Sequence, residues 1–293
     1  MTNALPQREV ARINIPQVER GYTDSHKVRR LMPPGDWAAT DPFLLLMEDW
    51  AGPGVFEPHP HRGMETFTFL LEGEIEHYDN HGNKGSISAG DALMMTAGRG
   101  IVHDERSADG GVLHLLQLWI NLPRRDKLAP SRVQEIPVAD VPKHIEPGVE
   151  VRVLSGRSGD AVSPTQNFAP FMGLELRLDS DAAFEQQLPA DYNGFILVID
   201  GEASIGVADR KVDAGGLAWL TFSDTPSAVT VKAGQAGLRA LLFAGLPLRE
   251  PVAARGPFVM NTDAELDVSY AEYRAQGDRF GADLTSRSLT ATD

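Results

Sequence analysis

The amino-acid sequence predicts an all-β protein made of two tandem barrel or sandwich domains with one helix near the C-terminus. Between residues 43 and 123, short apolar runs are separated by Gly, Asn, Asp and Pro, and helical periodicity is weak. Short strands at this spacing are typical of an antiparallel sandwich or barrel. We expect the domains to fall at residues 1–130 (first domain), 131–148 (connector), 149–250 (second domain) and 251–293 (C-terminal segment).

The second observation is a repeat within the chain. FLLEGE at residues 69–74 is echoed by LVIDGE at 197–202, and SAGDAL at 88–93 is echoed by DAGGLA at 213–218. LWINLP, which begins at residue 118, is echoed by LFAGLP from residue 242. The offsets are 128, 125 and 124 residues. Three matches in order at nearly one offset predict a duplicated β domain.

The third observation is a helix signal after the second copy. Thr262 is followed three residues later by Glu265, which is the spacing of a capping box. We therefore expect a helix over about residues 263–276 that ends near Gly277 and braces the seam between the domains. The polar residues after about Asp283 are expected to fray.

Composition restricts the classes of function. The chain of 293 residues has 27 basic and 41 acidic residues, a net charge of −14, so we expect no direct binding to nucleic acid or to an anionic membrane. It has no cysteine, which excludes disulfides, thiolate metal ligands and cysteine nucleophiles. Neither a signal-peptide pattern nor an apolar run of about 18 residues is present. We expect a cytoplasmic monomer.

Two pairs of polar residues at strand spacing predict a metal site. His59 and His61, in PHPHRGME, are two residues apart, and so are His103 and Glu105, in GIVHDE. Alternate residues of a strand share a face, so neighbouring strands would bring three imidazoles and one carboxylate together. This mixed ligand set suits a first-row transition metal and leaves positions open for substrate. The glycines of TAGRGIVH allow a close approach of the backbone.

The alternative to a metal site is an ordinary structural role for these residues. A lone buried histidine is usually only hydrogen-bonded, but here two same-face pairs use three of the eight histidines. Glu65 has the same parity as His59 and His61, so spacing alone permits it as the carboxylate ligand. It could instead accept a hydrogen bond from an imidazole, a common supporting role.

The remaining histidines are expected to have no role in the metal site. We place His77 and His81 in a solvated hairpin turn, HYDNHGNKG, and His114 in the core rather than in a pocket. His26 and His144 lie in polar segments that are predicted as loops.

The motifs around these pairs resemble the pirin family, which belongs to the cupin superfamily of small β-barrels. The resemblance rests on PHPHRGMETFTFLLEGEIEH, SAGDALMMTAGRGIVHDE and LQLWINLP, supported by DPFLLL and GPFVMNT, and covers about residues 25–283. It implies a bicupin with one metal ion in the N-terminal barrel only. The implied ligands are His59, His61, His103 and Glu105, and not Glu65. Fe(II) is the expected ion, with Mn, Ni, Cu or Zn as alternatives.

The second copy is predicted to lack the metal site. The sequence has no histidine after His144, and the positions that correspond to His59, His61 and His103 fall near Gln187, Pro189 and Ala228. We expect this domain to be a structural partner that shields the mouth of the first barrel.

The family resemblance implies two alternative functions. The first is quercetin 2,3-dioxygenase activity, in which a small aromatic substrate reacts with dioxygen and Glu105 acts as the catalytic base. Gln117 and Trp119 are possible pocket residues, although we expect Trp119 to pack in the core. The second is a non-catalytic, metal-dependent regulator, similar to a transcription cofactor, that acts through a protein partner.

Overall fold

The computed structural model describes residues 4–282, and strands make up most of its regular secondary structure. The first part contains the strands β1 (Val10–Asn14), β2 (Val18–Arg20), β3 (His26–Met32), β4 (Phe43–Ala51), β5 (His59–His61), β6 (Met64–Glu72), β7 (Glu74–Asp79), β8 (Lys84–Ser88), β9 (Ala92–Thr96), β10 (Ile101–Ser107), β11 (Leu113–Asn121) and β12 (Arg132–Ile136). A short helix, α1 (Trp37–Thr40), precedes β4.

The second part of the chain continues the same architecture. Its strands are β13 (Lys143–Glu146), β14 (Val149–Ser155), β15 (Arg157–Ser158), β16 (Ala161–Val162), β17 (Phe171–Leu178), β18 (Ala183–Leu188), β19 (Asn193–Ile205), β20 (Arg210–Asp213), β21 (Leu217–Leu220), β22 (Ser227–Gly245), β23 (Ala253–Arg255) and β24 (Phe258–Met260). Helix α2 (Asp263–Gln276) follows, and single 3₁₀ turns lie at Arg124–Asp126 and Gly277–Arg279.

The first barrel consists of two facing sheets. One has the strand order β5-β10-β7-β8, and the other has the order β12-β9-β6-β11-β4-β3-β2. Their inner faces enclose an apolar cluster that includes Met64, Leu70, Ile87 and Leu115. All strand pairs of this barrel are antiparallel, as predicted for short alternating runs.

In the second barrel the strands form one nine-stranded sheet, in which β19 and β22 are long enough to take part in both walls. Its sheet has the order β1-β21-β19-β22-β17-β14-β13, with β18 paired to β22 and β20 paired to β19. The internal repeat is visible in the pairing: β18 lies against β22 with Gln187 opposite Ala228, as β5 lies against β10 with His59 opposite His103. The predicted two-barrel cupin fold is therefore confirmed.

An aromatic cluster joins the two barrels. Phe67 of β6 contacts Phe171 and Phe243, and Phe43 contacts Phe171 and Phe195, with ring centroids 5.1–6.3 Å apart. All five rings are buried in a core shared by both barrels. Offset and edge-to-face contacts of this kind add to the free energy of burying the rings. The barrels consequently pack through a continuous apolar interface.

Strand pairing crosses the domain limits that were expected from the sequence. β1, from the predicted first domain, pairs with β21 of the second barrel. Within the predicted connector, residues 131–148, β12 pairs with β9 of the first barrel and β13 pairs with β14 of the second. The connector is thus built into both barrels, because its alternating residues complete a sheet edge on each side.

The C-terminal helix is confirmed with the predicted limits. The Thr262 hydroxyl accepts from the Glu265 N–H, and the Glu265 carboxylate accepts from the Thr262 N–H, which forms the capping box. The helix packs on the first barrel rather than across the seam, since Glu272 forms a salt bridge with Arg62. The expected frayed tail lies outside the described residues. Within residues 4–282, no helix has the length and apolar character needed to cross a bilayer.

Candidate metal centre

Three imidazoles converge on one wall of the first barrel. His59 lies directly opposite His103 in the β5–β10 pair, and His61 lies opposite Ile101, two residues along the ladder. The ring centroids are 4.4 Å apart for His59–His103, 4.8 Å for His59–His61 and 5.0 Å for His61–His103. The strand spacing therefore brings the three side chains together as predicted.

The unpartnered nitrogens of these histidines fit a divalent metal ion. Both ring nitrogens of His61 and Nδ1 of His103 are buried, and no hydrogen bond of normal geometry reaches them from the described residues, although the backbone of Pro257 lies near His61. Burial holds the pKa of each imidazole well below its usual value, so both rings are neutral with a free lone pair at neutral pH. Buried polar atoms are normally satisfied, and neutral imidazole is the form that binds metal.

Glu105 lies next to this cluster, in a second group of possible ligands that shares only His103 with it. Ligand atoms of His77, His103 and Glu105 lie within 4.8 Å of one another, and the same limit holds for His59, His61 and His103. The two groups overlap at His103, so Glu105 lies on the side of His103 that faces His77. Burial raises the pKa of Glu105, which makes it a better proton acceptor than a solvated carboxylate.

His77 was wrongly placed in a solvated turn. It is buried in β7, directly opposite Glu105 of β10, and its ring centroid is 5.4 Å from that of His103. The turn begins only after Asp79, which ends the strand. The signal that could have revealed this is alternation: Ile75 and His77 are buried, whereas Tyr78 between them and the turn is exposed.

Glu65 does not point to the histidines. Its carboxylate accepts hydrogen bonds from the Thr96 hydroxyl at 2.7 Å and from the Phe168 N–H at 3.4 Å, so it supports no imidazole. Gly63 lies between β5 and β6 and has a φ of 78°. The regular alternation of side chains therefore does not continue from His61 to Glu65. The carboxyl is completely buried between the barrels, and this burial raises its pKa to about 7.

The histidine cluster opens onto a cavity of about 820 Å³ whose lining includes His59, His61, Gln117 and Trp119. The Trp119 Nε1–H donates to Gln117 Oε1 at 2.9 Å, which turns the Gln117 amide nitrogen toward Glu105 Oε2 at 3.5 Å. Trp119, for which core packing was favoured over a place in the pocket, packs against the core and also lines this cavity beside His61. Glu105 lines a smaller cavity of about 350 Å³ beyond residues 54–58.

Three other histidines pair with carboxylates away from the cluster. His26, expected in a loop, begins β3 and is buried with its Nε2 2.8 Å from Asp49 Oδ1. His114, expected in the core, is only partly buried and lies 2.9 Å from Glu48. His144, also expected in a loop, lies in β13 beside Glu146.

The fourth, His81, does lie in the turn. It is partly shielded there, because its Nε2 is 3.0 Å from the Gly100 carbonyl oxygen.

Together, the fold and the histidine cluster define a two-barrel cupin protein with a candidate metal centre in its first barrel. The family model described as Pirin matches residues 25–120, and that described as Pirin C-terminal cupin domain matches residues 173–281. The Pirin-like protein of Solanum lycopersicum is 38% identical over 252 residues, which cover 86% of this chain and 86% of that protein. The chain belongs to the pirin family.

Further relatives extend this comparison. Pirin of Homo sapiens is 37% identical and covers 85% of this chain and 86% of its own length. Among solved structures, GK1651 from Geobacillus kaustophilus superposes with a TM-score of 0.82 at 37% identity, covering 85% of this chain and all of that one. Quercetin 2,3-dioxygenase from Acinetobacter baumannii superposes with a TM-score of 0.79 at 28% identity, covering 92% of this chain and 97% of that one.

Proposed function

We propose that this protein is a metal-dependent dioxygenase of the quercetin 2,3-dioxygenase type, with one divalent ion held by His59, His61, His103 and Glu105. The observation that carries the proposal is the set of buried, unpartnered imidazole nitrogens beside the 820 Å³ cavity. The similarity to a quercetin 2,3-dioxygenase supports the reaction class. Fe(II) is the ion we propose, with Mn, Ni, Cu and Zn as alternatives.

The substrate is proposed to be a flavonol or a similar aromatic that carries a hydroxyl beside a carbonyl. A bound divalent ion would act as a Lewis acid that lowers the pKa of such a hydroxyl. Glu105 Oε1, the carboxylate oxygen that does not face Gln117, would accept the hydroxyl proton. His61 and Trp119 lie beside each other in the cavity wall and would pack against the aromatic ring of the substrate.

The second barrel is proposed to act as a scaffold and not as a second reaction centre. Its position equivalent to the His59–His103 pair is occupied by Gln187 and Ala228, which offer no imidazole. Its buried apolar interface with the first barrel includes Phe67 and Phe69 of β6 and Leu116 and Leu118 of β11. We further propose that the protein acts as a cytoplasmic monomer, as expected from the sequence.

Oxygen uptake tests the proposed activity directly. Protein loaded separately with iron, manganese, nickel or copper is mixed with quercetin, and dioxygen consumption is compared with that of the free ion. We expect consumption above the free-ion rate with at least one metal and none with His103→Ala. Absence of turnover with all four ions would favour the alternative role, a metal-dependent regulator that acts through protein contacts.

A further inference from the structure

A second polar group lines the cavity, apart from the histidine cluster. Asp49 of β4 and His26 of β3 both contribute to the lining, and both are buried, with 6% and 1% of their surface exposed. The rest of the nearby wall is largely apolar and includes Val28, Met47 and Phe56. A buried carboxylate in an apolar wall is costly unless a partner satisfies it.

Hydrogen bonds fix the state of His26 and the orientation of Asp49. The Tyr22 N–H donates to His26 Nδ1 at 3.0 Å, so this nitrogen is an acceptor and carries no proton. His26 Nε2 must then carry the proton and donates it to Asp49 Oδ1 at 2.8 Å. Asp49 Oδ2 has no hydrogen-bond partner among residues 4–282. One carboxylate oxygen is thus held while the other stays available as an acceptor.

The strand register places this free acceptor close to the metal centre. In the β4–β11 pair, Gln117 is opposite Met47, and Asp49 is two residues further along β4. Diagonal neighbours of this kind are about 7–8 Å apart. Gln117 in turn faces Glu105. Asp49 therefore lies within the reach of a fused aromatic ligand that also contacts the histidine cluster.

We propose that Asp49, oriented by His26, accepts a hydrogen bond from a ring hydroxyl of the cavity ligand and so selects polyhydroxylated aromatics. This inference rests on the proposed function, because it assumes an aromatic ligand at the histidine cluster. A hydrogen bond to a charged acceptor is worth about 10- to 100-fold in affinity.

Glu48 provides a matched control on the same strand. It is the next residue to Asp49, points to the opposite face of β4, and pairs with His114 at 2.9 Å, as Asp49 pairs with His26. Unlike Asp49, it does not line the cavity. Any general effect of breaking a histidine–carboxylate pair in this strand should thus be seen in Glu48→Gln as well.

The test measures the binding of two ligands by calorimetry in the absence of dioxygen, with nickel-loaded protein. Quercetin has ring hydroxyls in addition to the hydroxyl beside its carbonyl, whereas 3-hydroxyflavone has only the latter. We expect wild type and Glu48→Gln to prefer quercetin by the same factor, and Asp49→Asn to reduce that factor at least about tenfold. The amide keeps the bond from His26 but presents an N–H₂ group to the ligand.

The outcomes separate this inference from the proposed function. If Asp49→Asn weakens both ligands equally, or leaves the preference unchanged, Asp49 has only a structural role and the inference is wrong. If neither ligand binds to wild type, the proposed substrate class is wrong and the inference fails with it. If thermal unfolding shows that Asp49→Asn is poorly folded, His26→Asn replaces it in the test. This variant keeps the Asp49 carboxylate but removes the imidazole that orients it, so it should still reduce the preference for quercetin.

Discussion

The two barrels pair equivalent strands in the same register but carry different side chains on them. In the first barrel His59 faces His103, and in the second Gln187 faces Ala228. The second barrel nevertheless has a continuous buried core that runs from Val149 to Ala244. This fold therefore does not need the imidazole cluster for its stability, so the cluster is free to serve binding or chemistry.

The sharpest way to test this comparison is to give the first barrel the residue of the second. His103→Ala reproduces the second barrel at this position and removes the histidine shared by both ligand groups. We expect metal content to fall from one ion per chain to about 0.1 or less, because losing a ligand should weaken metal affinity by more than the roughly 10- to 100-fold typical of supporting residues. Circular dichroism should show an unchanged β fold.

Gln187→Ala, the matched change in the second barrel, should leave the metal content at that of wild type. Elemental analysis of both variants after dialysis makes the comparison. Full occupancy in His103→Ala would refute the proposed centre, and metal lost from Gln187→Ala would refute the claim that the second barrel holds none.

A second test uses the buried carboxyl between the barrels. Glu65 has a folded-state pKa of about 7, above its ordinary value of 4.5, so folding favours its protonated form. Wild-type stability should therefore fall as pH rises from about 4.5 to 7, by up to about 3 kcal/mol, and then level off. Glu65→Gln should lack this component, so its free energy of unfolding relative to wild type should rise over the same range.

Urea unfolding of metal-free protein at several pH values measures this difference. Asn193, which the 128-residue offset matches to Glu65, offers a neutral control: Asn193→Gln should show the same pH dependence as wild type. A difference between Glu65→Gln and wild type that is constant with pH would contradict the raised pKa.

The third test separates the two candidate carboxylates. Glu105→Gln should weaken metal binding about 100-fold, because the amide cannot supply the negative charge of a carboxylate ligand. Glu65→Gln should leave metal affinity unchanged, since Glu65 is bonded to Thr96 and Phe168. Competition with a chelator measures both affinities. Metal loss in Glu65→Gln alone would reverse the proposed ligand assignment.

The smallest effect is expected at His77. It faces Glu105 across the β7–β10 pair and packs against His103, so we expect it to orient these two residues. His77→Gln should weaken metal binding about tenfold. His81→Gln, in the adjacent turn, should have no effect. A loss as complete as in His103→Ala would instead identify His77 as a ligand.

Much of the fold and the histidine cluster could be predicted from periodicity alone. The two-residue alternation of strand side chains predicted that His59 shares a face with His61, and His103 with Glu105. The pairing of β5 with β10 does bring the three histidines together. The repeat of apolar motifs also indicated equivalent positions correctly: Phe69 and Leu197, 128 residues apart, both lie in the shared core. These signals are local, so one sequence is enough to detect them.

Other features depend on contacts that no local pattern records. The polar residues after His77 suggested a turn, although His77 is buried in a strand. The positive φ of Gly63 interrupts the alternation of side chains from which Glu65 was considered as a ligand. The polar surroundings of His26 likewise hid its bond to Asp49, 23 residues away. The pairing of β1 with β21 joins segments about 200 residues apart.

The C-terminal segment that packs on the first barrel also bears on the order in which the parts of the cavity are synthesised. Residues Ala254, Gly256, Pro257 and Val259 form part of the cavity wall, although all four proposed ligands precede residue 106. A Cβ at Gly63 would meet the Val259 carbonyl oxygen at 1.9 Å, which shows how closely this late segment seals the first barrel. The four proposed metal-binding residues are therefore synthesised well before the residues that complete the cavity wall.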